Sequence, residues 1–125
     1  MNGSGDAALA RTCFAFALAI VFVATGASKL IDHAGAVEDF TRWGVPAAGE
    51  LTIALGIFEL CAAALLMANI ATQRVALALA VEMAMAFAIA GRVDGGPQLI
   101  VPPAIAALCL VLAWSARSDE RVPAR

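Results

Sequence analysis

The chain has 125 residues, of which 62% are hydrophobic and 14% are charged, and its formal net charge is -2. A soluble domain of this size could not bury so much apolar surface, because small folds have a high ratio of surface to volume. The composition therefore indicates a membrane protein. The mild acidity and the absence of a basic stripe exclude nucleic acid as a partner. The length allows a single domain, spanning residues 1–125.

Four apolar runs predict four membrane-spanning helices, at about residues 9–28, 48–68, 71–90 and 98–115. Each run has close to the number of residues that a helix needs to cross ~30 Å of hydrocarbon. The predicted fold class is therefore all-α, an integral membrane four-helix bundle. The first run also has features of a signal peptide, since Arg11 precedes an apolar stretch that ends in small residues, but we favour a helix that is retained.

Lysine and arginine residues near the ends of the runs predict the orientation of the bundle. Three of them, Lys29, Arg42 and Arg92, lie on one side. Five lie on the other side, namely Arg11, Arg74, Arg117, Arg121 and Arg125. Because basic residues are enriched on the cytoplasmic side, this excess predicts that the N- and C-termini are both cytoplasmic.

The connections between the runs carry signals of their own. In the outer connection, residues 31–46, the helical spacing of apolar residues and the position of Trp43 favour an amphipathic helix on the outer leaflet over an irregular acidic loop. Asn69 and Ile70 leave a very short turn, so the second and third helices form an antiparallel hairpin. Pro102 and Pro103 are expected in the first turn of the last helix, where a missing amide donor costs least.

Two glutamates lie near the middle of the predicted spans, where placing an ionisable side chain costs free energy and therefore indicates a functional or structural role. Glu59 is eleven residues before Ile70 and Glu82 is twelve after it, so both carboxyls lie at the same depth on adjacent helices. If they face each other in a low dielectric, they cannot both be ionised, and one holds a proton. We therefore predict Glu59 and Glu82 as catalytic residues that exchange a proton with a lipophilic ligand. The alternative is that each is neutral and only joins helices through hydrogen bonds.

Three further residues are candidates for the ligand pocket or for an ion pair beside it, namely Lys29, Glu50 and Gly56. Lys29 ends the first run and Glu50 opens the second, so both lie near the outer surface and can form an ion pair. We favour the other interpretation, in which Lys29 extends to the lipid headgroups while Glu50 supports a helix N-terminus.

The sequence predicts no metal site and no covalently bound cofactor. His33 is the only histidine. Without a histidine or carboxylate at matching spacing, the cysteines are interpreted as reduced packing residues, and they are Cys13, Cys61 and Cys109.

Three short motifs follow one another in the chain. GASKL at residues 26–30 ends the first run, WGVP at 43–46 closes the outer connection three residues after Phe40, and GIFEL at 56–60 lies in the second run. Their order and spacing resemble the DoxX-like membrane proteins over about residues 11–115. That family has a Gly-x-x-Lys-Leu end to its first helix, an outer loop closing on Gly-x-Pro, and a Gly-x-x-Glu inside its second helix. The matching residues here are Lys29, Gly44, Pro46, Gly56 and Glu59.

The resemblance implies a compact four-helix, multi-pass protein of the bacterial cell (inner) membrane with both ends cytoplasmic. The family name comes from a subunit of a thiosulfate:quinone oxidoreductase, and other members are linked to redox complexes of the cell envelope, so quinone is the implied ligand. Glu82 is not part of the family pattern and points to a specialisation of this chain.

The leading hypothesis is a lipophilic-ligand or quinone-linked subunit of a membrane redox system, in which Glu59 accepts a proton. The expected partners are the lipid bilayer, a lipophilic small molecule and a redox protein that carries the electrons, with a homo-oligomer left open. One alternative is a membrane scaffold or assembly factor for a partner protein. Another is a cofactor-free acid-base enzyme, an isomerase, a cyclase or an epoxide-opening enzyme, that acts on an apolar small molecule.

Overall fold

The computed structural model describes residues 3–120, which form five α-helices and one short 3₁₀ helix. The α-helices are α1 (Gly3–Ile31), α2 (His33–Arg42), α3 (Ala48–Met67), α4 (Thr72–Asp94) and α5 (Val101–Glu120), and the 3₁₀ helix is Gly96–Leu99. No strand occurs within this range. Arg121 and Arg125, which entered the orientation prediction, lie outside the described residues.

Four helical segments are long and apolar enough to cross a membrane: Gly3–Ile31, Ala48–Met67, Thr72–Asp94 and Gly96–Arg117. Many of their large apolar side chains point away from the protein, such as Ile20 on α1 and Val111 on α5. Such exposure fits helices whose surroundings are hydrocarbon. The structure therefore confirms the predicted all-α, four-span architecture.

The spanning helices associate as two closely packed pairs. α1 packs along α3 and α4 packs along α5, whereas the contact between α3 and α4 is much smaller. The pairs join in one apolar core that is rich in alanine and includes the fully buried side chains of Phe22, Leu79 and Leu112. These residues lie in the half of the bundle that contains the α3–α4 turn. The other half is called the α2 end, where α1 and α4 end and α3 and α5 begin.

The connection between the first two spans is the predicted amphipathic helix, α2. The Asp32 side chain caps it by accepting a hydrogen bond from the Gly35 amide at 3.3 Å, and Phe40 is buried beneath it. α2 packs against α3 and α1 at the end of the bundle.

Three spans are longer than the apolar runs that predicted them, and α5 continues to Glu120 and not to about residue 115. α1 begins at Gly3 and not at about residue 9, and α4 continues to Asp94 and not to about residue 90. An apolar run measures only the part of a helix in hydrocarbon, and polar residues by themselves do not end a helix. α4 ends where Gly95 adopts a positive φ of 62°, which is a backbone conformation that favours glycine.

Candidate functional site

An ion pair between Lys29 of α1 and Glu59 of α3 lies inside the bundle, and the Lys29 side chain is 19% exposed. Lys29 Nζ lies 2.9 Å from both Oε1 and Oε2 of Glu59, whose side chain is completely enclosed. Thr25, one helical turn before Lys29, donates its hydroxyl to Glu59 Oε2 at 3.3 Å. Both oxygens of this carboxylate therefore have a donor, which is the condition under which a buried charge is tolerated.

Two glycines bring α1 and α3 close enough for this contact. A Cβ atom on Gly26 would lie 2.9 Å from the carbonyl oxygen of Gly56, and one on Gly56 would lie 3.1 Å from the carbonyl oxygen of Gly26. The two backbones thus touch next to Thr25 and three residues before Glu59. This close approach, of the kind that small residues allow between membrane helices, sets the distance that the side chains span.

Glu82 of α4 joins the pair and completes a charged cluster of three residues, Lys29, Glu59 and Glu82. Glu59 and Lys29 are the charged groups that act on its carboxyl, so the cluster has two carboxyl groups for one ammonium. Oε2 of Glu82 is buried and has no hydrogen-bond partner among the described residues. A buried acceptor without a donor is costly, and the rest of this carboxyl lines the cavity, where a ligand can reach it.

The charged cluster lies at the floor of a cavity of about 510 Å³. This volume falls within the roughly 300–1,000 Å³ that small-molecule pockets occupy. Thr25, Ser28 and Gln98 are the other polar side chains around it. The remaining lining residues are Phe40, Trp43, Val45, Leu51, Leu55, Phe58, Ala78, Val81, Met83, Met85, Ala86, Ile89, Val101, Pro102 and Ile105.

The cavity opens sideways between α3 and α4, which share only a small contact. Leu51 and Phe58 of α3 and Val81 and Met85 of α4 line it, and their exposed fractions are between 37% and 60%. In a bilayer these apolar side chains face hydrocarbon. The opening therefore leads from the lipid to the charged cluster.

At the α2 end, the cavity is covered by α2 and the residues that follow it. Asp94, the last residue of α4, accepts hydrogen bonds from Arg42 Nε at 3.1 Å and from Trp43 Nε1 at 2.8 Å. Arg42 also pairs with Asp39 at 2.9 Å, and the hydrogen bonds that its guanidinium donates to Asp94 and then to Asp39 hold its pKa above the ordinary value. This cluster of Asp39, Arg42, Trp43 and Asp94, here called the α2 clamp, fastens the cover to α4.

The structure brings together three of the predicted site residues, Lys29, Glu59 and Glu82. The predicted ion pair between Lys29 and Glu50 does not form, because Lys29 pairs with Glu59 and Glu50 is exposed in the first turn of α3. Gly56 does not line the cavity either, since it lies where α1 and α3 cross. The catalytic roles of Glu59 and Glu82 stay predictions.

Several residues of the site carried no clear signal in the sequence. Thr25 could have been found, because it precedes Lys29 by four residues and shares its helix face. The contact of Trp43 with Asp94 joins residues that are far apart in the chain, so helical periodicity does not reveal it. Cys13 and Cys61 are exposed, Cys109 is buried, and all three are free thiols.

The fold and the site define a small multi-pass membrane protein with a buried lysine–glutamate pair beside an apolar cavity. The DoxX family model matches residues 10–92, more than half of the chain, and the chain belongs to the DoxX family. The match includes Lys29, Glu59, Glu82 and the whole of α2, and it ends two residues before Asp94. Comparisons with curated proteins and with solved structures gave no significant match.

Proposed function

We propose that this DoxX-family protein binds a lipophilic small molecule of the quinone and quinol class, as a subunit of a redox system in the bacterial cell membrane. The observation that carries the proposal is the apolar cavity of about 510 Å³ that ends on Lys29, Glu59 and Glu82. Pockets of this kind, mostly apolar with a few converging polar groups, are the usual sites for small ligands.

The residues around the cavity fit such a ligand. A quinone or quinol has a flat ring with oxygen atoms at its edge and an apolar tail. Leu55, Ala86 and Ile105 offer apolar surface to a ring, and the opening between α3 and α4 leaves a tail in hydrocarbon. Glu82 lines the cavity and offers its carboxyl to a hydroxyl group on the ring.

The charged cluster supplies the acid-base chemistry that such a ligand needs. Oxidation of a quinol releases protons, and the two carboxyl groups share a single positive charge, so the cluster can hold one proton and pass it on. Lys29 keeps the Glu59 carboxylate oriented through both of its oxygens. The electrons pass to a partner protein that belongs to the same redox system.

The experiment is mass spectrometry of the organic extract from the purified protein, comparing two variants on α4. Ala86→Phe places a phenyl ring in the cavity, whereas Ala84→Phe makes the same change on an exposed position of the same helix. We expect a quinone or quinol to be enriched with the wild type and with Ala84→Phe, and to be lost with Ala86→Phe. An extract that holds only bulk phospholipid in all three samples would refute the proposal and favour the membrane scaffold.

A second function, a cofactor-free acid-base enzyme on an apolar small molecule, is favoured by one observation. Glu82 lies beside Glu59 with one counter-ion between them, and such a pair can protonate one atom of a substrate and deprotonate another. The same extract separates the two functions, because an enriched molecule without redox chemistry would point to the enzyme. Turnover of that molecule would then have to disappear in Glu82→Gln.

A further inference from the structure

The three members of the charged cluster differ in how many of their hydrogen-bond donors and acceptors are free to bind a ligand. An ammonium has three hydrogens. Lys29 directs them at Glu59 Oε1 and Oε2, both at 2.9 Å, and at the carbonyl oxygen of Thr25 at 3.4 Å. Lys29 therefore has no spare donor, and Glu59 already accepts on both of its oxygens.

The hydroxyl groups at the floor are also engaged. Thr25 donates to Glu59 Oε2 at 3.3 Å, and Ser28 donates to the Thr25 carbonyl at 2.8 Å. Among the described residues of the floor, the group that remains is the carboxyl of Glu82, which lines the cavity and whose enclosed Oε2 has no partner. The proton that the two carboxyl groups share is engaged in the side-chain hydrogen bond between Glu82 and Glu59, so the rest of the Glu82 carboxyl acts as an acceptor and favours a ligand that donates a hydrogen bond.

The route into the cavity restricts the donor further. The opening between α3 and α4 is lined by exposed apolar side chains, whereas the α2 clamp holds the cover at the α2 end through the contacts of Arg42 and Trp43 with Asp94. A cationic amine also donates hydrogen bonds, but its transfer into hydrocarbon is costly. An uncharged hydroxyl group reaches the floor through the lipid at a lower cost.

We propose that Glu82 is the residue that binds the ligand, that Glu59 is a positioning residue, and that the ligand is an uncharged lipophile with a hydroxyl group that donates to Glu82. This inference rests on the proposed function, and it assigns the reduced, hydroxylated form of the ligand to the site in preference to the carbonyl form. It also places ligand recognition on a residue that lies outside the family motif.

The test is the binding of a brominated alkylphenol and of its methyl ether to the full-length protein in nanodiscs. The variant Trp114→Phe removes a tryptophan that is 73% exposed on α5 and leaves Trp43, which lines the cavity, as the fluorescent reporter. Bromine quenches tryptophan fluorescence on contact. Adding Ala86→Phe to this background fills the cavity and measures quenching from the surrounding lipid.

We expect the phenol to bind about tenfold more tightly than the ether, as a hydrogen bond to a carboxylate implies. Glu82→Met, which removes the acceptor but keeps the bulk of the side chain, should equalise the two affinities without weakening the binding of the ether. Gln98→Met is the matched control, because it also replaces a polar lining residue but lies near the α2 end, and it should keep the preference.

The possible failures are distinguishable. If neither compound quenches Trp43 beyond the Ala86→Phe background, the proposed function itself fails, and the inference fails with it. If both bind equally to the wild-type cavity, or if Glu82→Met keeps the preference, lipophile binding stands and the role of Glu82 is refuted. A brominated alkylamine that binds more tightly than the phenol would show that the site takes a cation, and it would overturn the hydroxyl assignment.

Discussion

Removing the ammonium of Lys29 should destabilise the protein strongly. In Lys29→Met, Glu59 would lose the ammonium and keep the hydroxyl of Thr25 as a donor, although its side chain is completely enclosed. Breaking a buried ion pair by removing one partner costs about 3–5 kcal/mol, because the other charge stays buried and uncompensated. We therefore expect the free energy of unfolding of Lys29→Met to fall by about 3–5 kcal/mol.

The size of the loss distinguishes a buried ion pair from an ordinary hydrogen bond between helices. Hydrogen bonds between membrane helices contribute about 0.6 kcal/mol on average and about 1.7 kcal/mol at most, because the unfolded chain in the membrane also finds partners. We expect the loss of about 3–5 kcal/mol for a broken ion pair to apply here, since Lys29 contacts both Glu59 oxygens at 2.9 Å. The double variant Lys29→Met, Glu59→Met should lie within about 1 kcal/mol of the wild type or be more stable, since the pair is removed as a whole and the remaining carboxyl, Glu82, can hold a proton and stay neutral.

The assay is reversible unfolding by dodecyl sulfate in mixed micelles, followed by circular dichroism. Arg92→Met is the control, because Arg92 is an exposed basic residue near the same end of the bundle, and its loss should change the free energy by less than about 0.5 kcal/mol. A loss below about 1.7 kcal/mol in Lys29→Met would refute the reasoning, since the pair would then act as an ordinary interhelical hydrogen bond.

Three further predictions follow from the packing, the cover and the orientation. Gly26→Ala should lower the unfolding free energy by about 1–3 kcal/mol, because its Cβ would lie 2.9 Å from a backbone oxygen of Gly56, whereas Gly49→Ala, with nothing within 4 Å, should be neutral or stabilising. An equal loss in both variants would contradict the close crossing of α1 and α3. Asp94→Asn should weaken the α2 clamp, so that the amides of residues 33–42 exchange hydrogen faster, and unchanged exchange there would show that other contacts hold α2. A fluorescent protein fused to the C-terminus should fold in the cytoplasm, and a periplasmic reporter that is active at the same position would reverse the predicted orientation.

The architecture could be predicted because long apolar segments identify membrane-spanning helices in a sequence. The α3 prediction of residues 48–68 is within a residue of Ala48–Met67, since apolar length fixes a span. The pairing of α1 with α3 and of α4 with α5 could not be predicted. It depends on which faces meet, and in helices that are apolar on all sides the sequence does not mark those faces.

The depth of the site residues in the membrane could be predicted from the sequence, but the direction of their side chains could not. Counting residues from the turn placed Glu59 and Glu82 at one level, and they lie beside each other. The same counting paired Lys29 with Glu50 because it ignored the side chains, which in a helix lean toward its N-terminus. In the antiparallel α1 and α3, this tilt directs Lys29 and Glu59 toward each other, whereas it directs Glu50 away from Lys29.

Different parts of the chain form the charged floor of the cavity, which binds the polar group of a ligand, and the wall that limits the size of its ring. The charged floor comes from α1, α3 and α4 and lies within the segment that matches the DoxX family, whereas Val101, Pro102 and Ile105 of α5 form a wall beyond the matched residues. None of these wall residues contributes to the Lys29–Glu59 pair or to the glycine crossing. A substitution such as Ile105→Ala can therefore widen the cavity for a bulkier ring while the floor keeps its single free acceptor. It follows that the size of the preferred ligand can change without any change in the hydroxyl group that the site recognises.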